Sequence, residues 1–169
     1  MIIYEEGSEL NFGKFDEINC FHIEKSDLHN RLSVKNIKTV EFILFRPEKN
    51  VLNFVEAKRT FPDVNNLEDV AKNIEYITNK FRDSFQLSNA VWLGKHDCAN
   101  ELPANYNSFY AKERVFNLVL VVKYAHSKDL RFIKEKLKKE LNKDICIWKF
   151  KVYVMNERKA KERHLVLSK

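Results

Sequence analysis

The pattern of hydrophobic residues predicts two neighbouring β-strands in the first third of the chain. Residues 39–45 and 51–58 are rich in valine, isoleucine, leucine and phenylalanine, which favour extended structure. The residues between these two runs include Pro47 and Asn50, and both residue types are common in turns. The segment therefore predicts a β-hairpin.

The middle of the chain predicts a long amphipathic helix. Apolar residues recur there at intervals of three or four positions, which places them on one side of a helix. They are Leu67, Val70, Ala71, Ile74, Ile77, Phe81 and Phe85. Asn65 or Asn66 is a suitable N-cap, because its side-chain oxygen can accept a hydrogen bond from the first turn. We expect this helix to end near Gln86.

The last third of the chain predicts a strand, a basic helix and a final strand. Residues 115–124 form a hydrophobic run that is typical of a buried strand. Ser127 is the expected N-cap of a helix over residues 128–141, and residues 145–155 predict the final strand.

The N-terminal part predicts one more strand over residues 18–24, followed by a turn or short helix over residues 26–34. Strands dominate the first part of the chain, and helices are interleaved later. Together these elements predict an α/β (mixed α+β) fold, in which helices flank a central mixed β-sheet.

Length and composition limit the class of protein. The 169 residues have the length of one domain, and no repeat or linker-like segment divides residues 1–169. Hydrophobic residues make up 44% of the chain and charged residues 32%, as in chains that fold. The apolar runs are far shorter than the roughly 18 residues that cross a bilayer, so we expect a soluble protein without a membrane partner.

The N-terminus and the cysteines indicate a cytoplasmic protein. A secretory signal begins with a basic segment and then an apolar one, whereas this N-terminus contains Glu5, Glu6 and Glu9. The three cysteines are widely spaced and form no CxxC pair, so they indicate neither a disulfide framework nor a zinc site: Cys20, Cys98 and Cys146.

The hydrophobic residues of the predicted hairpin match best in one register. If opposing residue numbers sum to 97, Phe45 faces Leu52 and Ile43 faces Phe54, with a six-residue connection over residues 46–51. Side chains alternate between the two faces of a strand, so a shift by one residue would destroy this match.

The same register places Glu41 directly opposite Glu56, with Lys58 two positions along on the same face. Two like charges on facing strands destabilise a sheet, more so when they are partly buried, so the pair requires a compensating cation. Mg²⁺ is the expected cation, because it prefers carboxylate oxygens and is commonly held by one or two carboxylates together with phosphate oxygens.

These residues resemble the motif of the PD-(D/E)XK nuclease superfamily. Residues 54–58 read Phe-Val-Glu-Ala-Lys, and the acidic Glu41 lies fifteen positions before Glu56. The upstream acid of the superfamily is usually Asp, so Glu41 departs from the common pattern. The helix that begins near Asn66 and the strand near Leu118 lie where that fold places its next helix and strand.

The resemblance implies a restriction-endonuclease-like core and a hydrolase that needs Mg²⁺ or Mn²⁺. In the superfamily, the two acids and a backbone carbonyl bind the metal, and the corresponding residues here are Glu41, Glu56 and Ala57. The lysine, here Lys58, positions or activates the attacking water. Some members use a further glutamate from the N-terminal part, for which Glu17 and Glu24 are both candidates.

The implied substrate is nucleic acid, with DNA preferred to RNA. A net charge of +6 favours such a polyanionic partner. Many nucleases of this kind act in pairs, so a homodimer is a further expectation. Three alternatives stay open: an ordinary solvated strand end, a catalytically inactive nucleic-acid-binding protein of the same fold, and a protein-interaction subunit.

The basic helix over residues 128–141 is a candidate contact for a phosphate backbone. The cations that would make this contact are Lys128, Arg131, Lys134 and Lys138. The alternative is a solvated helix face, because acidic residues such as Glu135 are interspersed with these cations.

The reactive and aromatic side chains of residues 88–114 have ordinary structural explanations. Residues 96–98 read His-Asp-Cys, but adjacent side chains seldom face one another, so a cysteine nucleophile is not favoured. Base stacking is also less favoured than core or loop packing for the aromatic residues Trp92, Tyr106, Phe109 and Tyr110.

Overall fold

The computed structural model describes residues 1–96, 101–108 and 114–168. Of the residues discussed above, Asp97, Cys98, Phe109 and Tyr110 lie outside these ranges. Tyr106 is fully buried, which confirms that it packs in the core.

The described residues form a small two-stranded sheet and a central five-stranded sheet. The strands are β1 (Ile3–Glu5), β2 (Leu10–Phe12), β3 (Cys20–Phe21), β4 (Phe42–Arg46), β5 (Val51–Lys58), β6 (Val115–Val122) and β7 (Lys151–Met155). The central sheet has the order β3-β4-β5-β6-β7, with antiparallel pairs on the β3 side of β5 and parallel pairs on the β7 side. This confirms the predicted mixed sheet.

Helices cover the sheet, as predicted. They are α1 (Asp27–Ser33), α2 (Leu67–Trp92), α3 (Ser127–Glu140), α4 (Asn142–Trp148) and α5 (Glu157–Glu162). The long helix α2 packs together with α3 on one face of the sheet, and β1, β2 and α5 pack on the other face. Within the described ranges, no helix is both long and apolar enough to cross a membrane.

The register of the hairpin is confirmed. The β4–β5 ladder pairs Ile43 with Phe54 and Phe45 with Leu52, so that opposing residue numbers sum to 97. The connection is shorter than predicted, because Arg46 already pairs with Val51. Residues 47–50 form the turn, which contains a 3₁₀ segment and ends at Asn50 with φ 48°. Asparagine is one of the few residue types that tolerate this left-handed conformation.

The long helix begins as predicted but ends later. The side chain of Asn66 accepts a hydrogen bond from the backbone N–H of Asp69, which confirms Asn66 as the N-cap. The predicted end near Gln86 is wrong, because α2 continues to Trp92. Leu87 and Val91 are buried and extend the apolar side of the helix by a further turn.

Three other boundaries differ from the prediction. Residues 18–24 form a strand only at Cys20–Phe21, between two 3₁₀ turns. His126, rather than Ser127, is the N-cap of α3. Residues 145–148 are the end of helix α4 and not part of the last strand. There Trp148 packs edge-on against Phe85, with ring centroids 4.7 Å apart, so this aromatic side chain meets the core from a helix.

The two faces of β5 have different neighbours. Leu52 and Phe54 point toward α2, whereas Val55 and Ala57 point toward β1, β2 and α5. Glu56 is in phase with Leu52 and Phe54, so it also points toward α2. The hairpin thereby places Glu56 at the interface between the sheet and helix α2.

Tyr106 fixes strand β4 from outside the sheet. Its hydroxyl donates a hydrogen bond of 2.6 Å to the backbone carbonyl of Ile43. We predict that Tyr106→Phe lowers the free energy of unfolding by about 1–3 kcal/mol, because a buried acceptor loses its donor. Urea unfolding measures this change. Tyr124→Phe is the control, since Tyr124 is 54% exposed, and an equal loss in both variants would contradict the assignment.

Candidate functional site

Two buried glutamates face each other where the hairpin strands enter the core. The β4–β5 ladder ends at the Phe42–Val55 pair, and the backbone N–H of Glu41 donates to the carbonyl of the same Val55, so the predicted cross-strand pair of Glu41 with Glu56 is not formed. Glu41 is 3% exposed and Glu56 is fully buried. The structure still brings the two predicted carboxylates together, because both contact the same lysine on the α2 side of the sheet.

A lysine from helix α2 lies between the two carboxylates. The Nζ atom of Lys80 is 3.3 Å from Oε1 of Glu41 and 2.9 Å from Oε2 of Glu56. Lys80 is itself 6% exposed, so the three charged groups share an environment with little water. The compensating cation of the glutamate pair in this structure is therefore an ammonium group of the protein.

Two more charged residues lie next to these three groups. Lys58 lies 3.2 Å from Oε1 of Glu56, and its side chain is 27% exposed. Glu24 lies 3.9 Å from Lys80 Nζ, and its side chain is 40% exposed. We call Glu24, Glu41, Glu56, Lys58 and Lys80 the charged cluster. Its two glutamates on the hairpin are enclosed, and its more exposed members form a rim.

Of the two N-terminal glutamates considered above, the structure brings Glu24 to the site. Its backbone N–H donates to the carbonyl of Glu41 at 3.5 Å, which anchors the 3₁₀ turn that carries it beside β4. Glu17 lies in an earlier 3₁₀ turn and lines a separate cavity that also contains Glu101.

Polar residues of α2 hold the approach to β4 in place. The backbone N–H of Val40 donates to the hydroxyl of Ser84 at 2.8 Å, and the N–H of Lys38 donates to the carboxylate of Asp83 at 2.9 Å. Ser84 follows Lys80 by four positions, so both lie on the same side of the helix. The helix therefore positions the ammonium group of Lys80 and the strand that carries Glu41 together.

An aromatic ring stands beside the cluster. Tyr76 lies one helical turn before Lys80 and is 39% exposed. The Nζ atoms of Lys38, Lys58 and Lys80 are 4.5, 4.8 and 5.9 Å from its ring centroid. Such cation–π contacts favour a positive charge at the rim.

Burial changes the proton affinity of both facing carboxylates. Burial, followed by the charge of Glu56, raises the pKa of Glu41 from 4.5 to about 9. Burial also raises the pKa of Glu56, against the opposing effect of Lys80 and Lys58. Glu56 contacts two ammonium groups and Glu41 contacts one, so the first proton of the pair resides on Glu41. The charged form of Glu56 is the one that the lysines stabilise.

The carboxylate oxygens of this site are of the type that hard divalent ions prefer, and in this structure an ammonium group contacts both carboxylates. Glu41 Oε2 and Glu56 Oε2 are buried and accept no hydrogen bond of good geometry from the described residues, although the ammonium of Lys80 lies 2.9 Å from Glu56 Oε2. The last pair of the β4–β5 ladder is Phe42 with Val55, so the backbone of Ala57 lies beyond it. Among residues 1–96, 101–108 and 114–168, no three His, Cys, Asp or Glu side chains enclose a metal position.

The predicted basic helix lies on the same face of the sheet as α2. Lys128, Arg131 and Lys138 are exposed on α3, and Lys134 is half-buried. Lys138 forms an ion pair of 3.5 Å with Glu135, in agreement with a solvated helix face at that position. Lys128 lines a cavity of about 410 Å³ together with Thr60, which follows the end of β5.

Lys80 was not among the residues predicted for the site. The sequence does contain a signal for it, because this lysine lies on the apolar side of the long helix. Its neighbours there are Ile77, Phe81 and Ser84. A lysine at such a position is seldom buried without an acidic partner.

We predict that Lys80→Met lowers the free energy of unfolding by about 3–5 kcal/mol, because it removes the buried ammonium that contacts both carboxyl groups. Urea unfolding of this variant provides the measurement. The control is Lys72→Met on the exposed side of the same helix, where we expect a change within about 0.5 kcal/mol.

A second variant separates lost charge compensation from lost packing. Glu41→Gln, Glu56→Gln and Lys80→Met combined remove all three ionisable groups, so this protein should regain most of the stability that Lys80→Met alone loses. A triple variant as unstable as Lys80→Met would contradict the assignment.

The raised pKa of Glu41 predicts a pH dependence of stability. Between pH 4.5 and about 9 the unfolded chain has lost the Glu41 proton and the folded chain has kept it. Stability from this group is therefore complete below pH 4.5 and is lost as the pH rises to about 9, at up to about 1.4 kcal/mol per pH unit. Glu41→Gln should flatten this slope in urea unfolding, whereas the exposed control Glu68→Gln should not. Equal slopes in the wild type and Glu41→Gln would be the contrary result.

Comparisons of the chain with protein-family models, with curated proteins and with solved structures found no match.

Proposed function

We propose that the protein is a divalent-metal-dependent nuclease that hydrolyses phosphodiester bonds of nucleic acid, DNA in preference to RNA. The observation that carries this proposal is the convergence of Glu41 and Glu56 in a buried cluster whose rim bears Lys58. Buried ionisable groups with shifted pKa values are concentrated at functional sites. The resemblance of this hairpin to the PD-(D/E)XK motif supplies the reaction class.

The proposed cofactor is Mg²⁺ or Mn²⁺, held by Glu41, Glu56 and the backbone carbonyl of Ala57. When bound, such an ion polarises a phosphate oxygen and lowers the pKa of a water molecule. Lys58 combines contact with Glu56 and partial exposure, so its ammonium can orient a water and stabilise negative charge at the phosphate. Lys80 keeps Glu56 anionic from the helix side.

The proposal includes a cytoplasmic location. Cys20 and Cys146 are free thiols in the described structure. Free cysteines are typical of proteins in a reducing compartment.

A second candidate function is nucleic-acid binding without cleavage. The observation that favours it is the position of Lys80, whose ammonium already neutralises the glutamate pair at 2.9 and 3.3 Å. A permanent internal cation makes a metal unnecessary for the stability of the fold. In that case the exposed cations of α3, such as Lys128 and Arg131, would bind a phosphate backbone without hydrolysis.

Cleavage of DNA in the presence of Mg²⁺ or Mn²⁺ separates the two candidates. We expect the wild type to cut plasmid and linear DNA, and Lys58→Ala to lose about 10²–10⁴-fold in rate while it still binds DNA. The matched control is Lys72→Ala, which removes an exposed lysine from α2 and should leave the rate unchanged.

Metal binding provides an independent measurement. Mn²⁺ should raise the melting temperature of the wild type by mass action, and it should do so less for Glu56→Gln. DNA binding without cleavage in either metal would support the second candidate. Full cleavage by both Glu56→Gln and Lys58→Ala would show that another site performs the chemistry.

A further inference from the structure

The face of the central sheet opposite the charged cluster contains a second concave surface. Odd-numbered residues of β5, β6 and β7 form its floor, and the β4–β5 turn and the end of α5 form its rim. We call it the sheet groove and define it by Lys49, Asn53, Asn117, Lys151, Tyr153 and Arg163. Its volume is about 550 Å³, which is in the range of ligand-binding clefts.

Positive charge dominates the rim of the sheet groove. Four cations line it, namely Arg46, Lys49, Lys151 and Arg163. Among the described residues that line the groove, the only carboxylate is that of Glu162, and it is already paired with Arg158 at 3.0 Å. The groove therefore complements an anion.

These cations are distributed across the sheet. Arg46 lies on β4 and Lys151 on β7, so three strand spacings of about 4.8 Å separate their backbones. Cations whose backbones are this far apart can each hold a different phosphate. The spacing fits a ligand with several phosphates in a row.

The floor of the sheet groove offers an unused hydrogen-bond acceptor. Asn117 donates from Nδ2 to Oδ1 of Asn53 at 2.9 Å, and Asn53 donates to the carbonyl of Leu44 at 3.2 Å. This chain of amides leaves Oδ1 of Asn117 buried without a donor among the described residues. Buried acceptors of this kind usually have a partner, and a nucleobase N–H is a suitable one.

An aromatic ring lies beside these amides. Tyr153 lines the groove from the edge strand β7, and the guanidinium carbon of Arg163 is 5.4 Å from its ring centroid. Lys134 of α3 reaches the same ring from around the edge of the sheet, at 5.9 Å. Aromatic rings flanked by cations are the common platform on which proteins stack bases of single strands.

We infer that the sheet groove binds a single-stranded segment of nucleic acid. The cations of the rim hold consecutive phosphates, Tyr153 stacks on a base, and Oδ1 of Asn117 accepts a hydrogen bond from a base edge. A single strand is the appropriate partner, because its bases can leave the stack and reach the floor of a groove. The binding does not depend on the proposed nuclease activity, since the groove and the charged cluster lie on opposite faces of the sheet.

The test is binding of a fluorescein-labelled oligothymidylate in EDTA, followed by fluorescence anisotropy at several salt concentrations. Lys49→Ala combined with Lys151→Ala should weaken binding and reduce the slope of log K against log salt by about 0.7 for each phosphate that the variant no longer neutralises. The matched control is Lys72→Ala combined with Lys95→Ala, which removes the same charge from exposed positions elsewhere. Its affinity should change less than about twofold, as expected from net charge alone.

A second pair of variants tests the aromatic contact. Tyr153→Leu should weaken binding about tenfold, whereas Tyr4→Leu, at a position that is 53% exposed, should bind as the wild type does. Binding is measured in EDTA and cleavage in Mg²⁺, so a loss of groove binding in Tyr153→Leu and a loss of cleavage are separate results.

Three outcomes would overturn the inference. The first is equal binding by the groove variants and their controls. The second is tighter binding of a duplex of the same length than of the single strand. The third is displacement of the probe by thymidine monophosphate at the same nucleotide concentration, which would indicate a pocket for one nucleotide.

Discussion

The ammonium group of Lys80, buried between the carboxylates of Glu41 and Glu56, is the interaction on which the structure around the hairpin depends. It connects the middle of helix α2 to both strands of the hairpin through contacts of 2.9 to 3.3 Å. Without this cation, the register that pairs Ile43 with Phe54 would bury two facing carboxylates next to each other. The hydrophobic match of the hairpin and the position of the helix are therefore mutually dependent.

A cluster of buried charges adds little net stability to a fold, because the charged groups lose their hydration. Well-packed apolar residues of similar volume are often as stabilising as a buried ion pair, or more so. The charges of Glu41 and Glu56 thus need an explanation other than stability, and a chemical role for them is the simplest one. The partial exposure of Lys58 and Glu24 supports this view, because it leaves one side of the cluster in contact with solvent.

The sequence was sufficient to predict the hairpin but not the whole site. A strand pair alternates with a period of two, so matching Phe45 with Leu52 determined the register of β4 and β5 as far as the Phe42–Val55 pair. Beyond this pair the backbone departs from the predicted register, yet Glu41 and Glu56 still meet at Lys80. Lys80 comes from another element, and its approach depends on how α2 packs on the sheet, which the apolar positions of the helix do not specify. Tertiary contacts also determined the secondary structure of residues 145–148. Their apolar run suggested a strand, but they belong to a helix from which Trp148 packs on Phe85.

Strand β5 carries residues of both surfaces described above. Asn53 points into the sheet groove, and Glu56, three positions later, points into the charged cluster. The strand is hydrogen-bonded to β4 on one side and to β6 on the other, so it lies in the most tightly connected part of the sheet. Asn53 and Glu56 are therefore not exposed to fraying at an edge of the sheet. Separating β5 from a neighbouring strand would disturb both surfaces at once, which makes them parts of a single cooperative unit of folding.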